Sequence, residues 1–130
     1  MDFPNPLAVL VAAASAFALG GVWYGPLFKH AWCKAAGVDP DKRVGHPARV
    51  FGVAFAFSLV AAAVFGWFLG PDPDIYFSVG MSVMVGLGYV GTSFGINYQF
   101  AGRPFKLWAI DAGYHTLQFA LYGLVFGLWH

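Results

Sequence analysis

Charge is scarce in this sequence. Asp, Glu, Lys and Arg together make 10% of its 130 residues, against about 25% in an ordinary soluble domain. There is no glutamate, so the paired-glutamate chemistry of many hydrolases is excluded. A single cysteine excludes an internal disulfide framework and any multi-thiolate metal site within one chain. A net charge of +1 supplies no basic field, which argues against nucleic acid as a partner. Apolar residues are abundant instead. They make 59% of the chain, with a mean hydropathy of +0.66. Such a composition cannot clothe a globule in polar surface and cannot remain a disordered tail. It implies a small integral membrane protein forming one domain over residues 1–130.

Four apolar stretches stand out: Leu7–Phe28, Val50–Leu69, Tyr76–Tyr98 and Leu107–Trp129. Each reaches the roughly 20 residues that cross a hydrocarbon core of about 30 Å as a helix. Backbone groups in lipid must be satisfied within the segment, and none of these stretches alternates as a barrel strand would. The expected fold is therefore all-α, a bundle of four transmembrane helices. The first stretch lacks the basic start of a cleaved signal, and the Ala-Ser-Ala at Ala14–Ala16 lies in the middle of its run.

All seven Lys and Arg residues fall on one side of this arrangement: Lys29, Lys34, Lys42, Arg43 and Arg49 after the first stretch, Arg103 and Lys106 after the third. The other side holds Asp2, Asp72, Asp74 and His130. The positive-inside rule then expects a multi-pass protein of the plasma (inner) membrane, with loops 29–49 and 99–106 cytoplasmic and both termini outside. Trp23, Tyr24, Tyr98 and Trp108 would mark the inner interface; Trp67, Tyr76 and Trp129 the outer. After Pro26, the residues Leu27, Phe28, Ala31, Trp32 and Ala35 recur at helical spacing between lysines. They predict a short amphipathic helix lying on the inner leaflet, stopped by Gly37 and a turn at Asp39-Pro40. A weak echo between Gly21–Lys29 and Gly95–Trp108 needs gaps to align and does not establish an internal duplication.

At about 100° per residue, Asp111, His115, Gln118 and Tyr122 fall in one stripe of the fourth stretch, which should face protein or water because charge in lipid is costly. Gly113, Thr116, Ala120, Gly123 and Gly127 form a small-residue lane, and Ile110, Leu117, Leu121, Leu124 and Leu128 a lane for lipid. On the third stretch Ser78, Ser82, Tyr89, Ser93 and Asn97 share a polar face, while Gly80, Gly88, Gly91 and Gly95 share a glycine face. Gly21–Gly25 and Gly91–Gly95 are both GxxxG pairs, the spacing that lets membrane helices approach closely. Gly21, Gly25, Gly88, Gly91, Gly95, Gly123 and Gly127 are therefore expected at helix contacts. The surplus of small-residue faces points to self-association or to docking on another membrane protein.

Asp111 is the sharpest functional candidate. With His115 one turn away on the same face, it could hold a proton or cation. It could equally be structural, steadied by the nearby helix N-terminus or paired with Arg103, Lys106 or another loop cation. Ser93 and Asn97 would complete a polar seam with Asp111, His115, Gln118 and Tyr122. A lone His is weak support for a metal, and His30 with Cys33 supplies only two ligands; no cofactor or metal is expected. No nucleophile elbow, zinc-protease signature or phosphate loop occurs, so the chain is not expected to be an enzyme.

The run Gly21-Val-Trp-Tyr-Gly-Pro-Leu-Phe-Lys-His-Ala-Trp32 followed by Gly37, together with Asn97-Tyr-Gln-Phe-Ala-Gly-Arg-Pro-Phe-Lys-Leu-Trp108, Ile110-Asp-Ala-Gly-Tyr-His115 and the terminal Gly127-Leu-Trp129, resembles the two signatures of a family of small bacterial four-span membrane proteins of unknown function. The resemblance covers nearly the whole chain and implies topology without an activity. It also implies that Asn often stands at the position of Asp111 and Glu at that of Ala101, which favours a hydrogen-bonding role at position 111.

The reading at this point is a small self-associating membrane protein whose seam between the third and fourth spans binds or conducts a small polar solute or ion. The alternative is a non-catalytic structural or accessory subunit of a membrane complex. Cysteines substituted for Asp74 and Lys42 should label from opposite sides of the membrane, Lys42 from the cytoplasm; labelling of both from one side refutes the four-span arrangement.

Overall fold

The computed structural model describes residues 3–42 and 45–129. Asp2, Arg43 and His130, which enter the charge count above, lie outside the described residues. The described chain is helical, with no strands, and its helices run α1 (Pro6–Leu27), α2 (Lys29–Ala36), α3 (Pro47–Leu69), α4 (Ile75–Phe100) and α5 (Phe105–Leu128). Three of these, α1, α3 and α4, are long and apolar enough to cross a membrane. The fourth long helix, α5, has 24 residues and carries Lys106, Asp111, His115 and Gln118.

Local chemistry sets the ends. The Asn5 side chain accepts the Leu7 N–H at 2.9 Å, with Pro6 at the first helical position. His46 accepts the Ala48 N–H at 3.2 Å ahead of Pro47, and Asp74 accepts those of Tyr76 and Phe77 at 3.0 and 3.2 Å. Helices α2 and α4 stop alike. Gly37 and Gly102 take φ of +73° and +69°, which lets the next N–H reach back to a carbonyl of the last turn. Val38 bonds Cys33 at 2.9 Å and Arg103 bonds Tyr98 at 2.8 Å.

Two wide, π-type turns interrupt the long helices. Trp23–Leu27 closes α1: Gly25 leaves helical geometry at φ −97°, ψ −105°, and Pro26 has no N–H to donate. The chain turns there into α2. The second, Gly86–Gly91, lies in the middle of α4. It leaves carbonyls loosely held, and polar side chains take them. Thr92 Oγ1 donates to Gly88 O at 2.7 Å, Ser93 Oγ to Tyr89 O at 2.6 Å, and the Trp108 indole to Gly91 O at 2.8 Å.

That turn corrects the face assigned to the third stretch. One extra residue rotates everything after it by about 100° relative to a continuous helix. The inward sequence is therefore Ser78, Ser82, Gly86, then Gly91, Gly95 and Tyr98, whereas Tyr89, Ser93 and Asn97 are exposed. Gly80 and Gly88 have nothing within 4 Å of where a Cβ would stand. Gly21 and Gly25 are likewise open within the chain: Gly21 lies on an exposed side of α1, and Gly25 stands inside the wide turn at Trp23–Leu27. Ile110, assigned to lipid on spacing, is buried.

The core sits around α5, which touches α1, α2, α3 and α4. Ala8, Ala12 and Ala16 bury a smooth face of α1 against Ala62, Phe65 and Leu69 of α3 and Tyr122 and Phe126 of α5. Small residues admit large ones across the contacts. The Phe126 ring stands 2.6 Å from a Cβ built on Gly66. Helices α4 and α5 approach almost backbone to backbone: a Cβ on Gly86 would lie 2.8 Å from Thr116 Cα, and one on Gly123 would overlap the Ser82 side chain and stand 2.7 Å from Ser78 O. Gly127 meets Ile75, Gly91 meets Ala112, and Gly95 meets the Trp108 indole. The outer faces are covered by exposed apolar side chains, among them Phe51, Phe57, Val60 and Met84.

Gly123→Ala should lower the melting temperature in detergent by an amount matching about 1–3 kcal/mol of overpacking, since the obstructing atoms include backbone. Gly88→Ala should leave it unchanged or slightly raised. Equal melting of both variants would show that the α4–α5 approach is looser than described.

Candidate functional site

The site grows from one side chain. Asp111 lies in the second turn of α5 and is 5% exposed. Its Oδ1 accepts hydrogen bonds from the Tyr24 hydroxyl at 2.6 Å and the Trp32 indole at 3.0 Å; its Oδ2 accepts from the Tyr98 hydroxyl at 2.5 Å. Those donors belong to α1, α2 and α4. Local geometry places each of them. The wide turn ending α1 aims Tyr24 inward, the chain reversal at Phe28 swings α2 under the bundle with Trp32 facing α5, and the wide turn in α4 rotates Tyr98 to the inner face. Among the described residues no Lys, Arg or His nitrogen pairs with Asp111. This corrects the pairing with Arg103 or Lys106: the Arg103 guanidinium instead donates to Ala36 O at 2.9 Å, joining the loop after α4 to the end of α2.

Aromatic tips brace this end of the bundle further. Trp23 donates to Ile110 O at 2.9 Å, and Tyr114 to Ala16 O at 3.0 Å. Gly113 leaves room for the Trp23 ring, and Gly20 for Tyr114.

One turn further along α5 a second network begins. His115 Nδ1 lies 2.5 Å from Gln118 Oε1, and Gln118 Nε2 donates to the Tyr122 hydroxyl at 2.7 Å. Tyr122, fully buried, meets Ser58 of α3 at 2.7 Å, and Ser58 donates to Ala13 O of α1 at 3.3 Å. Among the described residues no buried side-chain nitrogen or oxygen lacks a hydrogen-bond partner.

The stripe Asp111, His115, Gln118 and Tyr122 is thus turned toward protein, but it forms two networks rather than one seam. Ser93 and Asn97 join neither. Both line a shallow groove on the outside of α4 with Tyr89, Val90 and Phe94. Sequence reasoning missed Tyr24, Trp32 and Tyr98 as partners of Asp111, having assigned Tyr24 and Tyr98 to the interface and Trp32 to the leaflet surface. The available signal was the Asp itself. A buried carboxylate needs donors, and these three polar-tipped aromatics end neighbouring segments on the same side of the chain's topology.

Beside Asp111 the packing opens. A cavity of about 490 Å³ lies between α2, the segment after it, and the facing parts of α4 and α5. Asp111, His115, Tyr24, Trp32 and Phe94 line its inner part; Cys33 of α2 and the Val38–Pro40 turn close one side, and Lys29 and Lys42 contribute their side chains. Tyr24 and Trp32 meet edge to face, with centroids 6.1 Å apart and planes at 85°. Phe94 stacks on His115 at 4.8 Å and 13°. Among the described residues no three His, Cys, Asp or Glu side chains are grouped to hold a metal.

Over residues 7–127 the chain matches the family described as protein of unknown function (DUF1761), and it belongs to that family. No curated protein and no solved structure matches it.

Asp111→Asn should melt close to the parent in detergent across pH 5 to 8. The amide oxygen still accepts from Tyr24 and Trp32, and the amide nitrogen can donate to Tyr98. Asp111→Leu strands three donors and should cost about 1–3 kcal/mol for each one left buried without an acceptor. Equal damage in both variants would mean that the charge itself holds the bundle.

Proposed function

We propose that this DUF1761 protein is a four-span integral membrane protein that binds a small polar solute in the cavity beside Asp111, at the cytoplasmic face. The observation that carries the reading is a buried carboxylate, held in place by three helices, at the base of a cavity of about 490 Å³. That volume lies within the roughly 300–1,000 Å³ of small-molecule sites. The membrane setting is supported by three long apolar helices and by the many large Phe, Val, Leu and Met side chains that they expose. With α5 as the fourth span, all seven Lys and Arg residues belong to the segments that follow α1 and α4 or to the helix starts beside them, which favours cytoplasmic loops and outer termini.

Binding is better supported than conduction. Past His115 the bundle is filled by the hydrogen-bonded side chains of Gln118, Tyr122 and Ser58, each under 10% exposed, a packed arrangement that favours holding a solute over passing one. Among the described residues the site pairs no nucleophile with a base, which favours a non-catalytic role. A second reading has its own support. Gly21, Gly80 and Gly88 are exposed and open on α1 and α4, as faces for a second copy or another membrane protein would be, and the chain would then be an accessory subunit.

The test is a thermal-shift panel of amines, amino acids, carboxylates, phosphates and sugars on protein in dodecyl maltoside, alongside Val38→Trp, which places a bulky ring on the cavity wall. At least one solute class should raise the melting temperature of the parent and not of the variant. A panel with no effect, or with equal effect on both proteins, overturns the binding reading.

A further inference from the structure

The charges around the cavity are arranged with polarity. Asp111 stands at the base with neutral partners only, among the described residues. A carboxylate has about four acceptor positions, and three are taken, which leaves capacity for one more donor. The lining beside it is aromatic. Tyr24 and Trp32 stand nearly perpendicular, each fixed by its hydrogen bond to Asp111, and Phe94 is fixed by its stack on His115. Among the described residues the remaining charged lining residues are Lys29 and Lys42 against Asp39, a positive excess.

An anion at the base would face a carboxylate among aromatic rings. A bare metal ion would find one carboxylate where it needs several oxygens. A neutral solute would leave the Asp111 charge uncompensated. A carboxylate flanked by aromatic rings is the environment that attracts an organic ammonium.

We propose that this cavity binds a zwitterion, its ammonium group against Asp111 and the rings of Tyr24, Trp32 and Phe94, and its anionic group beside Lys29 and Lys42. This rests on the binding reading above and names its ligand class. The same chemistry is carried by a free solute and by the headgroup of a zwitterionic phospholipid.

Isothermal titration of the full chain in dodecyl maltoside, a detergent without charge, tests it with phosphocholine, choline and inorganic phosphate. Phosphocholine should bind at least about tenfold more tightly than choline, and phosphate should not bind measurably. Asp111→Asn should weaken phosphocholine at least about tenfold. Phe94→Leu, which removes none of the hydrogen-bond partners of Asp111, should weaken it about threefold or more and serves as the second arm should the Asn form not fold. Lys29→Ala with Lys42→Ala should bring phosphocholine down to the affinity of choline.

Choline binding as tightly as phosphocholine, phosphate binding alone, or phosphocholine indifferent to Asp111→Asn and Phe94→Leu overturns the proposal. A panel hit lacking an ammonium, lost in Val38→Trp, overturns it while sparing the binding reading. Repeating the titration in nanodiscs of phosphatidylglycerol, with and without phosphatidylethanolamine, separates the sources. Weakening of phosphocholine by the zwitterionic lipid assigns the site to a headgroup, and unchanged affinity assigns it to a free solute.

Discussion

A carboxylate out of water must be given donors or it does not stay there. Asp111 meets that demand by drawing one aromatic side chain from each of α1, α2 and α4 onto α5. The order of the lower half of the protein follows. Tyr24 can reach only because α1 ends in a wide turn, Trp32 only because the chain reverses at once into α2, and Tyr98 only because α4 is wound one residue wider in its middle. Helix α3 takes no part in this and is held instead by apolar packing and by Ser58 on Tyr122.

The extent of the helices was legible in the sequence because it depends on apolar length and on punctuation. The described boundaries lie within three residues of the apolar stretches, and Pro6, Pro47, Gly37 and Gly102 act where their backbone preferences direct. The stripe on α5 was legible too, since that helix runs without interruption and its 3.6-residue period holds from Asp111 to Tyr122. Family membership followed from the motifs that end the first and third stretches.

The faces misplaced on α4 trace to a single residue of winding. Periodicity assumes a constant turn, and Gly86-Leu-Gly-Tyr-Val-Gly91 breaks it. Ser93 and Asn97 were placed with Ser78 and Ser82, and Gly88 with Gly91, although the structure sends the members of each pair to different faces. Three glycines in six residues mark Gly86–Gly91 as a weak stretch of helix, but the sequence does not say that it widens or by how much. The cavity was illegible for another reason: it forms between α2 and the bundle, and nothing in α2 alone specifies the angle at which it folds back.

The hub at Asp111 also has a direction in time. Tyr24, Trp32 and Tyr98 all precede it along the chain, so during synthesis the donors exist before the acceptor does. Three helices are each long and apolar enough to cross a membrane, whereas α5 carries a carboxyl group that lipid alone would disfavour. In a four-span protein, the last helix would therefore be recruited by the others rather than by the bilayer, its carboxylate closing an assembly that already awaits it.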